Sequence, residues 1–121
     1  MNTKITYLYR DADNYKQFNE VIVNGCLTEE QKRKIISCLN SKEYFIPRQV
    51  CFPEIRFEKI NLERDTCWFE LDESSFKDTS EEQTIDMTPE EVVKQFETAK
   101  GHWDDTDMSW MDYYDTDDDD E

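Results

Sequence analysis

The sequence predicts a single α+β domain in which a small antiparallel sheet carries two helices on one face, with the elements in ββαββα order. A chain of 121 residues is long enough for one domain with its own core but short for two. Hydrophobic residues make up 36% and aromatic residues 13% of the chain, more than a disordered acidic chain carries, although the net charge is -16. Alternating segments typical of strands are separated by two segments with helix signals. We therefore divide the chain into an α+β domain, residues 1–101, and an acidic, aromatic C-terminal segment, residues 102–121.

The first two elements are predicted to be strands joined in a hairpin. In KITYLYR, apolar and polar residues alternate, which places Ile5, Tyr7 and Tyr9 on one face. The following DADNYK is typical of a turn, and FNEVIVN again favours a strand.

Two helices are predicted from the signals at their N-termini. Thr28 with Gln31, and Thr88 with Glu91, have the spacing of a capping box, and Pro89 suits the first position of the second helix. The apolar stripes consist of Ile35, Ile36 and Leu39 in the first helix and of Val92, Val93 and Phe96 in the second. The first helix also contains KRK, which is either a solvated helix face or a phosphate-binding patch.

The region between the two helices is predicted to contain a second pair of strands. Pro47 and Pro53 interrupt its first part, because proline has no N–H group for a sheet. Residues 54–60 (EIRFEKI) then favour a strand, and residues 66–76 (TCWFELDESSF) favour its partner. Residues 77–86 (KDTSEEQTID) are predicted to form a polar linker.

The cysteine, histidine and glycine content argues against a metal site, a cofactor and an enzyme. Cys26, Cys38, Cys51 and Cys67 match neither a CxxC redox pair nor a paired zinc knuckle, so we expect buried free thiols. His102 is the single histidine, and no nucleophile motif lies near it. With only two glycines, the chain has no glycine-rich phosphate loop. We expect no cofactor, no dedicated metal site and no catalytic activity.

The sequence also bears on location. No run of about twenty apolar residues is present, as a membrane helix would need, and the opening MNTKITYLYR lacks the features of a signal peptide. We therefore expect the protein in the cytoplasm of its host cell, without membrane contact.

The charge is divided very unevenly along the chain. Residues 1–69 contain eleven Lys or Arg and ten Asp or Glu, whereas residues 70–121 contain three and twenty. The last twenty residues, HWDDTDMSWMDYYDTDDDDE, hold ten carboxylates, no Lys or Arg, two tryptophans and two tyrosines. A segment that served only solubility would not need these aromatic rings. The composition indicates a binding surface.

We interpret this surface as a mimic of nucleic acid that occupies the basic site of a DNA- or RNA-handling protein. Carboxylates would replace phosphates, and aromatic rings would act as anchors or as substitutes for stacked bases. The predicted partner-binding residues are Asp104, Asp105, Asp107, Asp112, Asp115, Asp117, Asp118, Asp119 and Asp120 as phosphate surrogates, Trp103, Trp110, Tyr113 and Tyr114 as anchors, and Glu70, Asp72 and Glu73 as an extension on the last strand. The partner is then a basic, nucleic-acid-binding protein, and the chain itself would bind no nucleic acid.

Three alternatives stay open at this point. The acidic segment could be a solvated, disordered tail. The protein could be a non-inhibitory adaptor that docks on a basic protein without competing with nucleic acid, or an enzyme of unknown type. The oligomeric state is not determined by the sequence.

The mimicry hypothesis depends on how closely the charges are spaced. If residues 103–115 are helical, a rise of about 1.5 Å per residue gives one charge per roughly 3 Å, close to the ~3.4 Å between phosphates of one DNA strand. In an extended chain the spacing would be roughly 6.6 Å. A compact segment therefore approaches the charge density of a nucleic acid, and an extended one does not.

The stretches KITYLYRDADNYKQFNEVIV, EYFIPRQV and CWFELDE resemble a family of small bacterial and phage proteins that open with a YRDAxNYK-type motif and end in acidic, aromatic residues. The resemblance covers roughly the first 75 residues and includes no catalytic motif. It implies a mobile-element accessory protein. Short acidic proteins of that kind often inhibit host defence nucleases, including CRISPR effectors and restriction enzymes, so the resemblance implies an anti-defence inhibitor.

Overall fold

A five-stranded antiparallel sheet and two helices form the described part of the chain, which confirms the predicted α+β class and agrees roughly with the predicted order. The computed structural model describes residues 1–10, 16–53 and 68–103 and the backbone of residues 59–60 and 115–116. The elements are β1 (Asn2–Arg10), β2 (Lys16–Val23), α1 (Glu29–Cys38), β3 (Tyr44–Phe45), a 3-10 turn (Pro47–Val50), β4 (Lys59–Ile60), β5 (Phe69–Glu70), a 3-10 turn (Glu73–Ser75), β6 (Phe76–Thr79), α2 (Pro89–Ala99) and β7 (Asp115–Thr116).

Strand β1 lies inside the sheet and has antiparallel partners on both sides. It pairs with β2 from Thr3↔Val23 to Arg10↔Lys16, as the predicted hairpin requires. Its other side pairs with β5 and β6, and β5 also pairs with β3. Alternate residues of β1 are buried, including the predicted Ile5, Tyr7 and Tyr9.

Strands β5 and β6 are two parts of one interrupted strand. The pairs Leu8↔Glu70 and Ile5↔Phe76 are three residues apart along β1 but six residues apart along its partner. The extra residues form the 3-10 turn, whose start is capped because Asp72 accepts a hydrogen bond from the Ser74 backbone at 2.8 Å. An insertion of this kind bends a strand and changes the direction of its side chains.

This arrangement corrects two predictions. Phe76–Thr79 is a strand paired with β1, so residues 77–86 are not simply a linker. Residues 66–76 are not one continuous strand either, because the described part pairs as β5 and then β6. The predicted strand 54–60 lies outside the described residues except for Lys59–Ile60, which pairs with β7.

The two helices pack on each other, and their buried side chains share one aromatic core with the buried face of β1. They begin at the predicted capping boxes of Thr28 and Thr88. Phe45 and Phe96 meet with ring centroids 5.5 Å apart, and Tyr7 contacts Phe45 edge-on at 5.4 Å. Such pairs add about 0.5–1.5 kcal/mol each to the burial of their rings. None of the helices in the described ranges is long and apolar enough to cross a membrane.

The segment between β6 and α2 covers part of the outer edge of β2. The Ile22 N–H group donates to Thr84 Oγ1 at 2.8 Å, and the Thr84 N–H group donates to the Ile22 carbonyl at 2.9 Å. The Asn24 N–H group donates to the Met87 carbonyl at 3.1 Å. These contacts satisfy one end of an edge strand that would otherwise be open to pairing.

The capping box of α2 is expected to contribute measurably to stability. Thr88 Oγ1 accepts from the Glu91 N–H group at 3.3 Å, and Glu91 Oε1 accepts from the Thr88 N–H group at 2.9 Å. Thr88→Ala should lower the free energy of unfolding by about 1 kcal/mol, while Thr88→Ser should retain most of it. Urea denaturation measures both variants. An alanine variant as stable as the wild type would contradict the assigned cap.

Candidate acidic interaction surface

Exposed carboxylates follow one another along the chain from the 3-10 turn after β5 to the start of α2. They lie on four successive pieces of structure: the turn, β6, the segment that covers the edge of β2, and the first turn of α2. We call this set the acidic band; it consists of Asp72, Glu73, Asp78, Glu81, Glu82, Asp86, Glu90 and Glu91. The predicted charge asymmetry therefore begins on the folded domain and not only in the segment after it.

Among the described residues, most carboxylates of the acidic band have no cationic partner. Glu81 pairs with Lys4, with 2.5 Å between the carboxylate oxygen and the ammonium nitrogen. The other members form no ion pair within the described residues. Asp72 and Glu91 use part of their hydrogen-bonding capacity as helix caps. Water and counterions therefore solvate these carboxylates. A basic partner could take the place of that water and those counterions.

The ion pair of Lys4 and Glu81 keeps both groups charged. The hydrogen bond from Lys4 holds the pKa of Glu81 below its usual value, and the hydrogen bond to Glu81 raises the pKa of Lys4. Both groups lie at the surface. The pair connects the segment after β6 to β1, and it leaves the charges of the other carboxylates in the acidic band unchanged.

The sequence assigned Glu70, Asp72 and Glu73 to the last strand of the domain, and this placement is corrected. Glu70 lies on β5, whereas Asp72 caps the 3-10 turn and Glu73 is its first residue, and β6 follows them. Arg10 binds Glu70 with Nε to Oε2 at 3.0 Å and Nη2 to Oε1 at 3.3 Å. This paired geometry occupies the Glu70 carboxylate, so Asp72 and Glu73 are the more available of the three.

Trp103 attaches the start of the acidic segment to the core. Its Nε1–H group donates to the Cys38 carbonyl at 3.0 Å. Its ring meets Phe45 at 6.4 Å and Phe96 at 6.2 Å, both edge-on. The side chain is half-buried, so a partner could reach only the remaining part of the ring.

The acidic segment touches the rest of the chain again at β7. Asp115–Thr116 pairs in parallel with Lys59–Ile60, with Asp115 opposite Lys59 in the register. Its backbone is extended at this step, so the charge spacing calculated for a helix does not apply there. The remaining predicted residues lie outside the described residues: Asp104, Asp105, Asp107, Asp112, Asp117, Asp118, Asp119, Asp120, Trp110, Tyr113 and Tyr114.

The basic run on α1 is largely neutralised. Lys32 pairs with Glu29 at 3.0 Å, and Lys34 pairs with Glu97 of α2 at 3.2 Å. Only Arg33 of the run has no ion pair among the described residues. The solvated helix face is therefore the better description of KRK. In the described ranges no cluster of His, Cys, Asp or Glu is suited to a metal ion.

Sequence reasoning missed a depression on the open face of the sheet, beside the 3-10 turn after β5. It has a volume of about 290 Å³ and its lining includes Leu8, Arg10, Phe18 and Asp72. Phe18 is 63% exposed. The alternation of β2 could have indicated this exposed ring, because Phe18 falls on the opposite face of the strand from the buried Val21 and Val23.

No protein-family model, curated protein or solved structure matches this chain.

Replacing Trp103 tests the attachment of the acidic segment. Trp103→Ala is expected to lower the free energy of unfolding by about 2–3 kcal/mol, because two ring contacts and a hydrogen bond are lost. Trp103→Phe keeps the ring packing and should lower it by about 1 kcal/mol. Urea denaturation followed by circular dichroism provides the measurement. If both variants match the wild type, Trp103 does not contribute to the core.

The thiols are expected to react unequally. The prediction of buried thiols is wrong for Cys26 and Cys51, which are exposed, whereas Cys38 is buried. Burial also raises the pKa of the Cys38 thiol and so reduces its thiolate fraction. In the native protein, iodoacetamide should label Cys38 at least about tenfold more slowly than Cys26 or Cys51.

Peptide mapping by mass spectrometry resolves the individual sites in that experiment. Labelling in denaturant is the control, and there Cys38 should react like the others. Equal native rates at all three sites would contradict the assigned burial.

Proposed function

We propose that this protein is an inhibitor that places its acidic surface in the DNA- or RNA-binding site of a host defence protein, such as a CRISPR effector or a restriction nuclease. The observation that carries the proposal is the attachment of the acidic segment at two points. Trp103 binds the core, and Asp115–Thr116 pairs with Lys59–Ile60. A segment held at both points restricts where its carboxylates can lie, as a mimic of a polynucleotide needs.

The acidic band supports the same proposal from the folded domain. Its exposed carboxylates, most of which form no ion pair with a described residue, add to the ten carboxylates of the last twenty residues. A net charge of -16 would steer the protein towards a strongly basic cleft. Binding would release the counterions of both surfaces, which is the main source of affinity for nucleic acid in such clefts.

The choice of a defence protein as the partner rests on the resemblance of the first 75 residues to phage and bacterial accessory proteins. Charge alone would fit any basic, nucleic-acid-binding protein. The proposal involves no catalytic step and no cofactor. An adaptor that binds the same partner without displacing nucleic acid is the alternative outcome of the test below.

The test uses the full chain, because truncation after residue 101 would also remove Trp103 from the core. The protein is immobilised, incubated with nuclease-treated bacterial lysate, and the retained basic proteins are purified for a competition assay with fluorescent duplex DNA. We expect the chain to displace the DNA. We also expect the apparent Kd to weaken by at least about tenfold between low and physiological salt.

A pair of matched variants locates the contact. Asp118→Asn with Asp119→Asn should weaken displacement by about tenfold, because two phosphate surrogates are lost. Glu30→Gln with Glu43→Gln removes the same charge from exposed positions outside the acidic segment and should leave displacement within about twofold of the wild type. Binding that leaves the DNA in place would refute mimicry and support an adaptor. Equal effects of the two variant pairs would refute a specific role for the acidic segment.

A further inference from the structure

The outer edge of β2 is covered at one end and open at the other. Thr84 and Met87 bind the backbone at Ile22 and Asn24. At Lys16, Phe18 and Glu20, no described strand pairs with the outer side of β2. An open edge presents N–H and C=O groups that can pair with another strand.

The bonds at the covered end determine which residues face outwards. Ile22 uses both its N–H and its C=O group towards Thr84, away from β1. In a strand the direction of these groups alternates with every residue. Glu20, Phe18 and Lys16 have the same phase as Ile22, so their backbone groups point to the open edge.

The side chains of these three residues form a symmetrical pattern. Lys16, Phe18 and Glu20 are all exposed and lie on the open face of the sheet, next to Arg10, Leu8 and Thr6, respectively, in the register. Phe18 stands at the centre and is 63% exposed. A positive charge lies two residues before it and a negative charge two residues after it.

We propose that β2 pairs antiparallel with β2 of a second copy of this chain, around a two-fold axis at Phe18. The two Phe18 residues then exchange backbone hydrogen bonds and place their rings side by side. Lys16 lies directly opposite Glu20 of the partner subunit, and the symmetry repeats this pair on the other side of the axis. The two sheets become one continuous sheet.

This arrangement is favoured because the edge is complementary to itself. Opposite charges and aromatic pairs placed directly across two antiparallel strands are both stabilising. A strand of the same sequence in parallel orientation would instead place equal charges opposite each other. The open edge therefore selects both the partner, a second copy, and the antiparallel direction.

Three features oppose the pairing and make the dimer weak. Gln17 Nε2 donates to the Phe18 carbonyl at 3.2 Å and has to share that acceptor. Lys4 lies 4.0 Å from Glu20 and attracts the same carboxylate. Two chains with a net charge of -16 also repel each other. With a small interface, we expect a Kd on the order of 10–100 μM.

Charge exchange at the edge tests the pairing directly. In sedimentation equilibrium of the full chain, Lys16→Glu alone and Glu20→Lys alone should each weaken the dimer by about tenfold, since both symmetry-related pairs become repulsive. The double variant K16E/E20K restores complementarity and should return to within about threefold of the wild type. Circular dichroism confirms that each variant folds.

A salt series is the second measurement. Raising NaCl from about 50 to about 300 mM should strengthen the wild-type dimer, because screening reduces the repulsion between two acidic chains. Partner capture should respond in the opposite direction. A wild-type chain that stays monomeric at about 1 mM, a dimer unaffected by both single variants, or single variants that the double variant fails to rescue would each overturn the proposal.

The dimer does not depend on the proposed inhibitory function. The double variant keeps the net charge of the wild type, and neither position belongs to the acidic band or to the acidic segment. DNA displacement should therefore be unchanged in K16E/E20K. A wild-type chain that displaces DNA but does not dimerise would overturn only the dimer, and one that dimerises but does not displace DNA would overturn only the inhibitory proposal.

Discussion

The burial of one face of β1 is the constraint on which the rest of the structure depends. Ile5, Tyr7 and Tyr9 are each at most 1% exposed, and the strand has paired neighbours on both sides. Because the side-chain period of a strand is two, a shift of one residue would expose the whole apolar set. The register of β2, the division of β5 from β6 and the faces of both helices are thus all determined relative to this strand.

The net negative charge of the protein is compatible with this core because the carboxylates of the acidic band are exposed at the surface. The acidic band lies on a turn, on β6, on an edge segment and at the start of a helix, at exposed positions where water solvates carboxylates. At the N-terminus of α2, Glu90 and Glu91 also interact favourably with the helix dipole. Surface ion pairs such as Lys4 with Glu81 contribute little to stability. The domain therefore tolerates the negative charge without neutralising it. The carboxylates stay charged, as binding to a basic partner would require.

Local signals made the strand alternation of β1 and both capping boxes predictable from the sequence, since each depends on neighbours a few residues apart. The pairing of the short strands β3 and β6 was not predictable in the same way. Two to four residues carry no periodicity, and their pairing is determined by contacts with distant strands. The position of Trp103 likewise depends on Phe45 and Phe96, which only the folded chain brings together. The exposure of Cys26 and Cys51 was also not predictable, because the residue type indicates burial of cysteine only on average.

The two attachments of the acidic segment also depend on each other. A two-residue parallel pairing such as β4 with β7 is too short to be stable alone, because ordering each residue costs about 1–2 kcal/mol of conformational entropy. Trp103 shortens the loop that this pairing has to close, which reduces its entropic cost. The core contacts of one indole ring therefore support the backbone position of Asp115 in β7. In this way the backbone pairing of the acidic segment at Asp115–Thr116 is coupled to the packing of Phe45 and Phe96, and the proposed electrostatic function becomes sensitive to the aromatic core.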